Sequence, residues 1–387
     1  MYTIGDNVRL SRRCDAKYLN VLCTGLWAAV IVAKALEFGL SKEGRRKLGE
    51  IRSGEMKVSL TASGNGAVAE KSYKPIVVDR PWFICFVPPW LREAIELCVS
   101  MRGLGWDFGI GVYIPKHKRP LDRGPFIHAT IMSLIRNFLL VDLLESLIKQ
   151  LPGVGDPRGG SMFYSHLAPL QRYFVSTAIH IISGSCLLAG FGMCYDLLTF
   201  ICVTFLHDPP SSWPPAMDNP WNSDSLHTFW AKRWHQFLRR TFVYLGGYPG
   251  KFIAGNVGAI FGTFTASGLY HECAIYAMGR GFDYRVPLFF AVQGPLLLLE
   301  RIWTIVTGAK VQGWPGRLWV YFVIFVLGQP MGKWAVTFLV LSTNWIDTVD
   351  AWLVRGLGGG MVIPPIFSPV RMILLPAISS VAERYGH

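Results

Sequence analysis

The chain has 387 residues, of which 51% are hydrophobic and only 16% are charged, and its mean hydropathy is +0.33. Soluble domains usually carry about 25% charged residues, so this composition predicts a polytopic membrane protein. The formal net charge of +13 could indicate nucleic acid, but basic loops beside anionic lipid are the ordinary cause in a membrane protein. We therefore expect no nucleic-acid partner. An acidic soluble substrate, such as a coenzyme with phosphates, remains open as a second cause.

The N-terminal residues 1–80 predict one membrane helix followed by a polar basic loop. The helix is an apolar run from about Leu19 to Phe38, and the loop shows no periodic pattern of apolar residues. Lys34 and Glu37 lie at the end of the run, where long side chains can reach the membrane surface. We divide the chain into this N-terminal part and a main domain, residues 81–387.

The main domain is predicted to be all-α. The run at 173–205 is too long for a single crossing at about 20 residues per helix, which favours two short helices broken near Gly190 and Gly192. Five prolines between 207 and 225 forbid a regular spanning helix there and predict a loop at the membrane interface. Together the apolar runs predict about seven to nine transmembrane helices around an internal reaction chamber. The other runs are at about 126–147, 256–278, 287–306, 318–341 and 370–381.

Residues 225–242 predict an amphipathic helix at the membrane surface or along an internal funnel. Apolar side chains recur at helical spacing, while Lys232, His235 and Arg239 fall on the opposite face. A helix that only lies on the lipid surface would show the same pattern.

The run from Asn256 to Met278 predicts a membrane helix with a polar stripe. At about 100° per residue, Asn256, Thr263, Ser267 and His271 fall on one side. Burying ionisable groups at membrane depth is costly, so such residues usually serve function. We expect this helix to present His271 to an internal cavity.

A neutral histidine in an apolar cavity can act as a general base at neutral pH. Glu272 points about 100° away on the helix, so we expect it to support the cavity wall by hydrogen bonding between helices. A second histidine four residues after His271 is missing, so this is not a zinc-protease motif, and we expect no metal site. The residues alone leave open a packing role, or a proton-relay or ligand role in a transporter.

Two motifs together carry a resemblance to a known family. These are the eight residues from Phe229 to Gln236 and the six from Ser267 to Glu272. Their pairing resembles the membrane-bound O-acyltransferase superfamily, in its wax-synthase-like branch, which includes fungal O-acetyltransferases of terpenoid and meroterpenoid secondary metabolism. Arg102 to Trp106 is similar to a further element of that branch, and Asn219 to Ser223 is similar to its Asn/Trp-rich segment.

The resemblance implies an acyl-CoA donor, with no tightly bound cofactor, and a catalytic histidine at His271. A second polar residue, often asparagine in the family, stands at His235, and the departure leaves its role open. The candidate residues for acyl-CoA binding are Trp230, Lys232, Arg233, Trp234, Arg239 and Arg240. The basic side chains among them could equally bind the phosphates of lipid headgroups instead of those of the coenzyme. The candidate cavity-lining residues are Asn256, Thr263, Ser267 and Glu272.

The function implied is transfer of an acetyl or other short acyl group from acyl-CoA, in particular acetyl-CoA, to a hydroxyl of a hydrophobic terpenoid or meroterpenoid. The expected location is the endoplasmic reticulum membrane, with the lipid bilayer as a partner. Three alternatives remain at this point: a long-chain alcohol (wax ester) acyltransferase, a membrane transporter, and a membrane terpene cyclase.

Overall fold

The computed structural model describes residues 27–40, 45–47, 86–148, 151, 164, 166–276, 282, 284–328, 368–374 and 376. Helices dominate these residues, which contain no strand but only an isolated β-bridge between Lys47 and Trp106. The prediction of a mainly helical protein is confirmed. The helices are α1 (27–39), α2 (Pro89–Val99), α3 (Arg123–Ile148), α4 (Pro169–Phe205), α5 (Leu226–Thr228), α6 (Arg239–Phe242), α7 (Tyr248–Ile275), α8 (Arg285–Thr307) and α9 (Gly313–Tyr321). π-helical turns occupy Phe229–Arg233, Val243–Gly247, Phe322–Leu327 and Val370–Leu374.

Helix α4 is continuous over 37 residues, so the predicted break near Gly190 and Gly192 is wrong. Helix α4 packs along α3, and a Cβ built at Gly192 would lie 2.6 Å from the amide nitrogen of Asn137 on α3. That amide donates a 3.2 Å hydrogen bond to Asp196 on α4. Gly192 therefore serves close packing between two helices, which a sequence pattern cannot distinguish from a helix break.

The segment 239–275 is a helical hairpin. Its turn lies at Ala254 and Gly255, whose φ/ψ of −139°/31° and 59°/−144° are not helical. The positive φ of Gly255 is readily adopted only by glycine. The second arm begins at Asn256, where the sequence predicted the central helix to start, and continues to Ile275. Met278 lies outside the described residues.

Four glycines bring the arms of the hairpin together. A Cβ on Gly250 or on Gly258 would stand 2.0 Å from the other's carbonyl oxygen, and the same is true of Gly246 and Gly262. Small residues at four-residue spacing allow two helix backbones in a membrane to approach this closely. The hairpin thus places α6 beside the helix that carries His271.

The predicted amphipathic helix at 225–242 is interrupted. Ser225 caps α5 by accepting a 3.0 Å hydrogen bond from the Thr228 amide, and the chain then widens into the π-turn that ends at Arg233. Trp234 is extended, with φ −71° and ψ 152°, and the helix resumes only at Arg239. The buried Gln236 side chain donates to the Trp230 and Trp234 carbonyls, which satisfies backbone groups that a continuous helix would have bonded.

The N-terminal helix is bonded into the rest of the protein. Lys34 donates to the carbonyls of Leu97 and Ser100 at 3.2 and 3.0 Å, and Glu37, which is 3% exposed, forms an ion pair with Arg240. The sequence predicted that these two side chains extend to the membrane surface. They bond to other parts of the protein instead. Residues 19–26 of the predicted first run lie outside the described residues.

Three helical segments in the described part of the chain are long and apolar enough to cross a membrane, which supports a membrane protein. They are Pro169–Phe205, Arg239–Cys273 and Arg285–Thr307. The second is the hairpin, and its second arm of about 20 residues has the length of one crossing. The finer prediction of seven to nine crossings stays a prediction.

Candidate active site

His271 occupies the second arm of the hairpin, on the same face as Ser267 and Thr263. Its Nδ1 lies 2.6 Å from the Ser267 carbonyl oxygen, one turn earlier. A carbonyl can only accept, so Nδ1 carries the hydrogen and Nε2 retains the lone pair. The helix backbone thus fixes the tautomer that a general base needs.

The ring of His271 is held by aromatic packing. It stacks on Phe290 of α8, with ring centroids 4.4 Å apart and planes inclined by 23°. Phe290 reaches it because Gly268 packs against Pro287, where a Cβ would lie only 2.7 Å from the proline Cα. The close contact of α7 and α8 therefore sets the position of the imidazole.

Two cavities share the His271 wall. The larger has a volume of about 1030 Å³ and the smaller about 200 Å³. Trp230, Trp234 and Phe290 also line both cavities. Two molecules in separate cavities would therefore both reach the same imidazole.

The larger cavity carries a group of basic side chains that suits an anionic ligand. This group consists of four exposed lysine and arginine side chains. Two acidic residues, Asp224 and Glu300, line the same cavity. The Glu300 carboxylate already accepts hydrogen bonds from the amides of Leu226 and His227 and from the Trp319 indole. Basic groups around a cavity attract phosphates, which are bound by charge-assisted hydrogen bonds. The four cations are Lys232, Arg239, Arg301 and Lys310.

Not all the predicted acyl-CoA-binding residues lie at this cavity. Trp230, Lys232, Trp234 and Arg239 line it. Arg233 instead donates to the Asp218 carbonyl at 3.0 Å, and Arg240 bonds Glu37 and the Phe108 carbonyl. These two guanidinium groups hold loops and helices together.

The predicted cavity-lining residues separate in the same way. Thr263 and Ser267 line the larger cavity. Asn256 lies exposed at the hairpin turn, away from both cavities, because the chain reverses there. Glu272 is buried, with 1% of its surface exposed, and lies outside both cavity walls.

His235 lies on the wall of the larger cavity with His271. Its ring packs against Phe191 and Phe237, with centroid distances of 5.5 and 5.9 Å, and its buried Nδ1 has no hydrogen-bond partner among the described residues. Burial and, to a smaller extent, the neighbouring His271 lower the pKa of His235 to about 4. His235 is therefore neutral near pH 7.

Several residues that support or line the site were not identified from the sequence. The buried Gln293 accepts a 3.1 Å hydrogen bond from the Trp230 indole, and Glu300 caps α5. Both residues, with Arg301, interrupt an apolar run, and such interruptions are the signal that would have identified them. The basic group includes Lys310, which follows α8 and gave no such signal.

The described residues contain no group of three or more histidine, cysteine or acidic side chains that could hold a metal ion. With Nδ1 bonded to the Ser267 carbonyl, Nε2 of His271 has the lone pair with which an imidazole accepts a proton.

Comparison with known proteins shows which family the chain resembles. Residues 213–292 match the profile described as "Membrane bound O-acyl transferase family", a segment that contains both His235 and His271. The chain is 21% identical over 305 residues to acetyltransferase ple2 of Rhodocybe pseudopiperita, covering 71% of this chain and 74% of that protein. No solved structure matches the chain.

Two further relatives are also fungal. An acetyltransferase of Arthrobotrys oligospora is 24% identical over 309 residues, covering 68% of this chain and 62% of that protein. Acetyltransferase aurG of Calcarisporium arbuscula is 26% identical over 196 residues, covering 46% of this chain and 47% of that protein. The predicted resemblance to membrane-bound O-acyltransferases and the prediction of an acyltransferase enzyme are confirmed.

Proposed function

We propose that this acyltransferase transfers an acetyl group from acetyl-CoA to a hydroxyl of a hydrophobic terpenoid or meroterpenoid in secondary-metabolite biosynthesis. The observation that carries the proposal is the position of His271 on a wall shared by two cavities, with Nδ1 bonded to the Ser267 carbonyl. The acetyl group and the terpenoid acceptor are suggested by the relatives called acetyltransferases and by the resemblance of the two motifs.

The larger cavity is the proposed donor site. Lys232, Arg239, Arg301 and Lys310 supply positive charge for the coenzyme phosphates, while Trp230 and Trp234 offer apolar surface near His271. The smaller cavity is the proposed acceptor site because its walls are mainly aromatic and aliphatic. Its place on the His271 wall would bring an acceptor hydroxyl to the imidazole.

In the proposed reaction, Nε2 of His271 accepts the proton of the acceptor hydroxyl while that oxygen attacks the thioester carbonyl carbon. A carbon–oxygen bond forms and gives a tetrahedral oxyanion. The carbon–sulfur bond then breaks, and the coenzyme thiolate takes the proton from the imidazolium. The products are an acetate ester and free coenzyme A, and no acyl-enzyme is needed.

The reaction would take place in a multi-pass protein of the endoplasmic reticulum. Residues 81–387 would form the wax-synthase-like transferase domain with seven to nine crossings in the whole chain, and residues 1–80 would add the N-terminal helix. The partners are then acetyl-CoA, the hydrophobic alcohol and the bilayer.

Replacing His271 tests the proposal directly. We expect His271→Ala to lower kcat for transfer of labelled acetate to a hydroxylated terpenoid by about 10²–10⁴-fold, because general base catalysis typically contributes that much. Microsomes with the full chain, labelled acetyl-CoA and a panel of terpenoid alcohols provide the assay. The control is His128→Ala, an exposed histidine on α3. Full activity of His271→Ala would contradict the proposed base. Use of palmitoyl-CoA in preference to acetyl-CoA would contradict the acetyl assignment.

A further inference from the structure

A third cavity lies beside the smaller one, and the proposed reaction does not use it. It has a volume of about 500 Å³ and is bounded by α3, α4 and the proline-rich loop before α5. Leu188, Pro220 and Trp221 line both this cavity and the smaller cavity, whose wall includes His271. The two spaces therefore meet at these three residues.

Helix α4 forms one side of the junction between the two cavities. At about 100° per residue, the residues of α4 that line the smaller cavity and those that line the third cavity fall on different sides of the helix. Leu188 lies between the two sides and is half-buried. The first set is His180, Ser183, Gly184 and Leu187, and the second includes Ser185, Ala189, Gly192 and Asp196. One side chain of α4 thus stands at the junction.

The opposite side of the junction is held in place by packing. Trp221 stacks on Phe325, with ring centroids 5.5 Å apart and planes inclined by 14°, and its carbonyl accepts a 2.7 Å hydrogen bond from Tyr321. Pro220 is buried and begins a 3₁₀ turn. Leu188 is therefore the side chain whose size sets the width of the junction.

The third cavity suits an apolar occupant, because its charged and amide side chains already bond to protein groups. Arg119 and Asn137 donate to Asp196 at 2.5 and 3.2 Å. Tyr195 donates to the Pro214 carbonyl at 2.5 Å. Burial of apolar carbon against the remaining wall is favourable. That wall includes Leu140, Leu144, Ala189, Trp213 and Met217.

We propose, resting on the acetyl transfer proposed above, that the acceptor site continues past Leu188 into the third cavity, so that terpenoid alcohols with an extended apolar skeleton are the preferred acceptors. The hydroxyl lies at His271, and the far end of the skeleton lies among Leu140, Leu144 and Met217. Leu188 is thus a specificity-determining residue of the acceptor site.

A series of terpenoid alcohols tests this inference. Geraniol, farnesol and geranylgeraniol share the same hydroxyl end and differ by one isoprene unit at each step. Leu188→Trp fills the junction, so it should lower kcat/KM for the two longer alcohols about tenfold and change that for geraniol little, since it excludes only their added apolar carbons from burial. The assay uses microsomes with the full chain and labelled acetyl-CoA. An equal effect of Leu188→Trp on all three alcohols would overturn the inference.

The matched control is Leu198→Trp, the same substitution at a position of α4 that is 51% exposed and outside all three cavities. It should leave the rates with all three alcohols unchanged. Equal losses in the two variants would mean that a tryptophan anywhere on α4 harms the protein, and would refute the role of Leu188.

Photocrosslinking tests the same inference without any variant or turnover. Purified full-length wild-type protein is labelled with farnesol that carries a diazirine at the end far from its hydroxyl, with and without excess farnesol. We expect competed labelling of peptides that contain Leu140, Leu144 or Met217, read by mass spectrometry. Labelling confined to residues outside the third cavity would overturn the inference and leave acetyl transfer standing. Labelling in the third cavity without acetylation of any alcohol would support the binding site and contradict the transfer reaction.

Discussion

The two histidines of the larger cavity differ in how their ring nitrogens are satisfied. Nδ1 of His271 is fixed by the Ser267 carbonyl, whereas Nδ1 of His235 has no partner among the described residues. A fixed tautomer suits a base that must accept a proton at one defined atom. Nδ1 of His235 is buried away from the cavity surface, and the role of this residue stays a prediction.

The pKa of His235 predicts how the stability of the protein depends on pH. The folded protein holds this pKa at about 4, below the ordinary value of 6.5, so the unfolded chain binds the proton first as pH falls. The contribution of the neutral ring is complete above about pH 6.5, declines below it and is lost by about pH 4. We expect His235→Asn to lose less thermal stability than wild type between pH 6.5 and 4, measured by unfolding of the protein in detergent. Parallel curves for the two proteins would contradict this.

We expect basic side chains that line the larger cavity to affect the KM for acetyl-CoA, and a basic side chain bonded elsewhere to leave it unchanged. Arg239 and Lys232 line the larger cavity, so replacing either by alanine should raise the KM for acetyl-CoA about tenfold with little change in kcat. Arg233→Ala is the matched control, because its guanidinium bonds the Asp218 carbonyl instead of the cavity. It should lower stability and leave KM unchanged. Steady-state kinetics at two salt concentrations provides the measurement, and an equal rise of KM in all three variants would refute the division.

At the scale of elements, the hairpin and the π-turn decide where the site forms. The hairpin needs glycine at the crossing points because its two backbones touch, and the π-turn at Phe229–Arg233 aims Trp230 at Gln293 of α8. π-helical turns cost regular hydrogen bonding and are frequent at functional sites. Both features place cavity walls that a straight amphipathic helix could not form.

Gly258→Ala should destabilise the protein by about 1–3 kcal/mol, since its Cβ would stand 2.0 Å from the Gly250 carbonyl oxygen and force the arms apart. Gly190→Ala in α4 is the control, because a Cβ there has open space around it. Its expected effect is a gain of about 0.5–1 kcal/mol from helix propensity. Thermal unfolding in detergent measures both variants, and equal shifts for the two would show that the hairpin is not closely packed in solution.

At the scale of the whole molecule, one buried carboxylate joins three parts of the chain. Glu37 on α1 is paired with Arg240 at the start of the hairpin and with Arg45, at 3.4 Å, in the segment after α1. Arg240 also bonds the Phe108 carbonyl, which follows the Arg102–Trp106 turn. The N-terminal helix is thereby linked to the segment that carries Arg239 of the cavity.

Glu37→Leu should destabilise the protein by about 3 kcal/mol, because it leaves Arg240 largely buried without its partner charge. Combining it with Arg240→Met should recover part of the loss, since the apolar pair removes one uncompensated charge, while Arg45 keeps its ion pair with Asp107 at 3.9 Å. Thermal unfolding of the single and double variants tests this coupling. Additive losses in the double variant would mean that the two residues act independently.

The sequence alone determined the class of protein and the position of its candidate base. Apolar runs at 126–147 and 287–306 correspond closely to α3 and α8, and the helix that bears His271 begins at Asn256 as expected. These are local properties, since length, hydropathy and helical spacing depend only on neighbouring residues.

Only the tertiary structure decided what surrounds His271. The cations at 233 and 240 differ from those at 232 and 239 because packing against Asp218 and Glu37 occupies the first two. Gly192 admits Asn137 instead of breaking α4 because α3 and α4 pack together. His180 shares a cavity with His271 because α4 and α7 both form walls of that cavity. Such contacts join residues far apart in the chain, so no local pattern encodes them.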